Sequence, residues 1–157
     1  MATREAGVAE ALRSWAEDAD GEVGTAFEQA GAAAADRRDR ADATPGETDA
    51  LSAQLQELSE WPERVGAGLV AVPLVLDRLY LQVVNFFVNE ADERSADVVR
   101  DLRSDASELD SAREALAALD GDEREHAREA AIDVVEVVYN EYAEALEAMG
   151  LDPKPVC

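Results

Sequence analysis

Lysine is almost absent from this chain: Lys154 is the only one in 157 residues, and every other cation is an arginine. Cysteine occurs once, at Cys157, which excludes an internal disulfide; the thiol is expected to be unemployed rather than to link two chains. Aromatic residues make up 5%, so an interior must be built mainly from Leu, Val and Ala. No Gly-rich loop carries a Lys, and no Ser or Cys stands beside a usable base, so phosphate-cradling and nucleophilic motifs are missing. Scarce positive charge also argues against nucleic acid as a partner, whose affinity comes from Lys and Arg on phosphates. The only dense basic run, Arg37, Arg38 and Arg40, is interleaved with Asp36, Asp39 and Asp42 and nearly cancels itself.

Acid and alanine take the vacant places. Asp plus Glu number 36 against 14 Lys plus Arg, a net charge of -22, and alanine fills about a fifth of the positions. Such charge drives a compact chain apart at ordinary ionic strength, whereas in ~1 M salt the Debye length falls to about 3 Å and the repulsion fades. In composition the chain resembles the acidic, lysine-poor proteins of halophilic archaea. The resemblance covers no site, and it implies a protein that works in concentrated salt. Between Met1 and Glu10 there are acidic residues and no apolar stretch fit for a signal peptide, so a cytoplasmic location is expected. The length predicts one domain, and 47% hydrophobic residues are enough for a core.

The periodicity is helical throughout, and the expected fold is all-α. Val8, Leu12, Trp15 and Ala19 form one stripe and Val23, Phe27, Ala30 and Ala34 a second, with a phase change that predicts a break near Gly21 in a helical stretch of about 4–35. A charged linker is expected over 36–44. Thr44-Pro45-Gly46-Glu47 reads as a helix start, and the helix of about 45–60 should stop or bend at Trp61-Pro62. From 62 to 119 the chain is helical with a kink or break. Val88, Ala91, Ser95, Val98, Leu102, Asp105, Leu109, Ala112, Leu116 and Leu119 keep a 3-4 alternation there. Ile132, Val135, Tyr139, Tyr142, Leu146 and Met149 repeat it over 122–149, with a capped start at Asp122 and Glu125. These two segments are expected to form a long antiparallel, coiled-coil-like hairpin within the bundle, with Val134 and Val138 widening the second apolar face. Residues 150–157 are expected to be a loose tail.

Val65 to Val88 is apolar around nearly its whole circumference, which predicts burial. It is long enough for a bilayer, but Asp77 and Arg78 near its middle argue against a membrane span. Its polar residues Arg78, Gln82, Asn85 and Asn89 fall on one narrow stripe, expected to face solvent or a polar neighbour; lining a pocket is the functional alternative.

Three further constellations fail on inspection. Glu123-Arg124-Glu125-His126 has the Glu-x-x-His spacing of di-iron bundles, but His126 is the only histidine and those sites need a second. Asp18 to Glu22 resembles the start of a calcium loop, yet Ala16 and Phe27 fall where ligands belong. Gly66-Ala67-Gly68 lacks the further glycine and preceding strand of a dinucleotide fingerprint and reads as close helix packing. No catalytic residue, metal ligand or cofactor is therefore expected.

The expected function is that of a non-catalytic helical interaction or scaffold protein, a homo-oligomer associating through the apolar helix. The surface is assigned to Leu69, Val72, Leu76, Leu79, Tyr80, Val83, Phe86 and Phe87. A phasin-like protein coating a lipid or polymer inclusion, or a membrane surface, with the same helix is the second reading. A ligand- or metal-binding bundle enzyme is the third.

Overall fold

The computed structural model describes residues 1–41, 46, 48–106 and 109–150. Among them all regular structure is helical, and seven helices pack about one core. The helix start expected at residues 44–47 lies, Gly46 apart, outside the described residues, as do Lys154, Cys157 and the rest of the tail beyond Gly150.

Helix α1 (Ala2–Asp18) and α2 (Gly21–Arg40) form an antiparallel pair, turning at Ala19-Asp20 where the phase change predicts a break. Gly21 sits at φ +68, a conformation that L side chains rarely adopt. Both predicted stripes lead into the core: Val8, Leu12, Trp15, Phe27 and Ala34 are buried, and the rings of Trp15 and Phe27 meet edge to face at 5.6 Å. The expected linker over 36–44 is corrected at its start. Residues 36 to 40 are the last turn of α2, held by an i,i+4 pair between Arg40 and Asp36 at 2.9 Å and by Arg37, which turns inward. Arginines in a final turn also suit the helix dipole.

Helix α3 (Ala50–Glu57) is capped by Asp49, whose Oδ1 accepts from the Ser52 amide at 3.0 Å and its hydroxyl at 2.6 Å. Helix α4 (Trp61–Asn89) begins at the predicted interruption, with Pro62 in the first turn and a Glu60–Glu63 capping box. Over Val65–Ala71 it widens into a π-helix, with the Val72 amide donating to the Ala67 carbonyl five residues back. Pro73 directly follows. Proline has no amide to donate and crowds the carbonyl four residues earlier, and local widening relieves both conflicts. Helix α7 (Gly121–Ala148) crosses this segment so closely that a Cβ on Gly66 would overlap the Ala127 carbonyl oxygen. The Gly66-Ala67-Gly68 run is therefore close packing, as its sequence suggests.

The long hairpin is placed differently from the heptad reading. The chain reverses at Glu90–Asp92, where Ala91 adopts φ +56, and the next helix, α5 (Glu93–Ala106), runs back antiparallel along the second half of α4. Asp92 starts α5 by accepting from the Ser95 amide at 3.1 Å and hydroxyl at 2.7 Å. Arg103 ties the pair together on Asp77, with Nε 2.8 Å from Oδ1. Helix α6 (Asp110–Ala118) packs on α2 and the π-helical segment. The cap of helix α7 falls two residues earlier than expected, on an Asp120–Glu123 capping box, and the helix lays its buried face on α3 and the first half of α4. That face is Ala127, Ala130, Val134 and Val138, whereas Ile132 and Val135 of the expected seam point outward, 40% and 44% exposed. On α5 the buried face is Ala96, Val99, Leu102 and Ala106: Leu102 of the predicted stripe is buried, whereas Val98 and Asp105 are exposed. Alanine contributes to the difference: Ala96, Ala106, Ala127 and Ala130 take buried places while Val98, Ile132 and Val135 stay exposed, so residue size by itself misreports the inner face.

Candidate interaction site

The polar centre of the bundle is a triad that sequence periodicity does not show. Glu5 of α1 is fully buried, and Arg37 of α2 grips it with Nε 2.9 Å from Oε1 and Nη2 3.0 Å from Oε2. The Tyr80 hydroxyl of α4 donates to the same Oε1 at 2.6 Å. Burial first, and then the neighbouring carboxylate, hold the Tyr80 phenol above its ordinary range, with Arg37 pulling the other way. Every buried side-chain nitrogen and oxygen among the described residues has a hydrogen-bond partner, so the triad is closed on itself and locks three helices together. The available hint was Glu5 three residues before Val8, in phase with the apolar stripe.

Against the outer side of Tyr80 lies an open cleft of about 450 Å³, between the α1 start, the α2 end, the second half of α4 and α5. Val83 and Phe87 of α4 face Val98, Val99 and Leu102 of α5 across it, and Arg40 and Arg94 contribute its charge. Phe87 leans edge to face on Phe86 at 5.4 Å. Phe86 is 58% exposed and Val88 48%.

The eight residues assigned to an apolar surface thus divide. Leu69, Val72, Leu76 and Tyr80 are consumed by the protein's own core. Leu79, Val83 and Phe87 pack partly against it, and Phe86 stands out in solvent. The polar stripe of Arg78, Gln82, Asn85 and Asn89 is exposed along its length and lines none of the clefts described here. His126 is exposed at the start of α7, where its neighbour Glu125 pairs with Arg128 at 2.7 Å. Among the described residues no three His, Cys, Asp or Glu side chains converge as metal ligands. The inward Arg37 pairs with Glu5, while Arg38 pairs with Asp39 at 2.7 Å and Arg40 bridges Asp36 and Asp105.

Helix α4 is the one described helix long and apolar enough to cross a membrane, with half of its most apolar window buried inside the bundle. Comparison with known protein families, characterised proteins and solved structures finds no match.

Proposed function

We propose that this is a non-catalytic, salt-adapted interaction protein that associates with a second copy of itself through the exposed half of α4. The observation that carries the reading is a charge gap. From Arg78 to Asn89 there is no carboxylate in a chain that carries 36, and this stretch holds the exposed Phe86, the partly exposed Leu79 and the amides of Gln82, Asn85 and Asn89. The other long acid-free stretch, Arg64 to Leu76, is largely spent in the core. Two bodies at -22 each can approach closely only where neither presents an acid, and side-chain amides then donate and accept across the contact without net charge. Leu79 and Phe86, two turns apart on one flank, supply the apolar part.

Light scattering in multimolar KCl tests this. The wild type is expected to be dimeric and Phe86→Asp monomeric with an unchanged helical circular dichroism signal, because Phe86 contributes little to the core. A wild type that stays monomeric at millimolar concentration overturns the reading. If that monomer instead sediments with phospholipid vesicles or polymer granules through Phe86, the inclusion-coating reading takes its place.

A further inference from the structure

The cleft outside Tyr80 differs in charge from the rest of the surface. Three other clefts each carry a carboxylate: Asp105 in one, Asp18 and Asp20 beside Trp15 and Trp61 in the second, and Glu22 and Glu114 in the third. The cleft between α4 and α5 has none on its walls, although acids outnumber bases 36 to 14 in the chain, and its only charged side chains are Arg40 and Arg94. From this we infer that the cleft is a binding site for a small amphipathic monoanion, a carboxylate carrying an aliphatic tail.

The walls fit each part of such a molecule. Val83, Phe87, Val98 and Leu102 offer an apolar trough, and its volume of about 450 Å³ lies within the ~300–1,000 Å³ range of small-molecule sites. Behind them the Tyr80 ring cannot swing away, because its hydroxyl is fastened to Glu5 and Glu5 to Arg37. The trough floor is therefore preformed. At the mouth, Arg40 is already engaged by Asp36 and Asp105, but Arg94 makes no hydrogen bond or close ion pair with any described residue and is free to reach a ligand. Asp92 is one carboxylate that feels Arg94. Its carboxyl is held below the usual range first by the Ser95 hydroxyl and amide, and only weakly by Arg94. Asp92 is thus committed to capping α5, which leaves the guanidinium unspent. In concentrated salt distant charges are screened, so a cation in direct contact with the bound anion is what can select it.

Titration calorimetry with octanoate in multimolar KCl, beside octyltrimethylammonium and octan-1-ol, tests the site. Octanoate is expected to bind saturably with one molecule per chain, and octyltrimethylammonium not to bind. Arg94→Ala should weaken octanoate by about tenfold or more, the scale of one lost charge-assisted hydrogen bond, and Val98→Asp should abolish binding. Both positions are exposed, so both variants should keep the wild-type helical signal, and Arg94→Ala the wild-type oligomeric state. Equal affinity for the cationic and anionic probes, a wild-type isotherm for Arg94→Ala, or no saturable binding of octanoate would each overturn the proposal. None of these results depends on whether two copies associate through Phe86.

Discussion

Glu5 is the residue on which the polar interior turns, because a carboxylate with no exposure is tolerable only while its hydrogen-bond partners stay in place. Arg37 supplies two donors and Tyr80 a third. Replacing Arg37 by Met should cost about 3–5 kcal/mol in denaturant melts, since it strands the buried charge. Tyr80→Phe, which removes one donor and keeps the ring, should cost about 1–3 kcal/mol. The phenol also makes stability depend on pH. Tyrosine in the unfolded chain loses its proton near pH ~10, whereas burial and Glu5 keep Tyr80 protonated to higher pH in the fold. Its contribution is therefore complete below pH ~10 and is lost as pH rises beyond that. Melting temperatures taken upward from pH ~9 should fall more steeply for wild type than for Tyr80→Phe; parallel curves would show that Tyr80 does not titrate as its surroundings require.

At the scale of the element, two pairs of substitutions separate close packing from mere helical pattern. A side chain at Gly66 meets the Ala127 carbonyl, so Gly66→Val must push α4 from α7 and should cost about 1–3 kcal/mol or more. Gly121, at the first position of α7, has nothing within 4 Å of a new Cβ and no positive φ, so Gly121→Ala should stabilise by about 0.4–1 kcal/mol. The second pair lies within α7. Val134 has no exposure, and trimming it to Ala removes two buried carbon groups at about 0.8 kcal/mol each before any cavity penalty. Ile132→Ala, at the 40% exposed position of the heptad seam, should change stability by less than about 0.5 kcal/mol. Should Ile132 prove the costlier site, α7 faces the other way.

For the molecule as a whole, the variable to test is salt. A charge of -22 is screened over about 3 Å in 1 M salt and over about 8 Å at 0.15 M. The buried pair of Glu5 with Arg37 and, to a lesser degree, the half-buried pair of Arg4 with Asp49 are sheltered from that change more than the surface pairs are. Dialysis from multimolar to ~0.15 M KCl should lower the melting temperature and the helical signal, because repulsion over the whole surface outweighs a few sheltered pairs. An unchanged melt across that range would refute salt adaptation. Self-association, if it follows the acid-free face of α4, should weaken along the same series.

Helical class, the α1–α2 break, the restart at Trp61-Pro62 and the close approach at Gly66 were all determined by the sequence, because each rests on a local rule: period, proline chemistry, or the missing side chain of glycine. The solvated stripe from Arg78 to Asn89 was readable for the same reason. Only the tertiary structure decided which faces turn inward and which helices pair. A 3-4 alternation continues in sequence through Glu90–Asp92 although the backbone reverses there, and on α7 Ala127 and Ala130 share the buried face with Val134 and Val138 while Ile132 and Val135 stay exposed, so side-chain size alone does not choose the inner face. Glu5, Arg37 and Tyr80 lie far apart along the chain and carry no shared motif. Their union, and the acid-free cleft beside it, arise from the packing of α1, α2, α4 and α5, which no local pattern encodes.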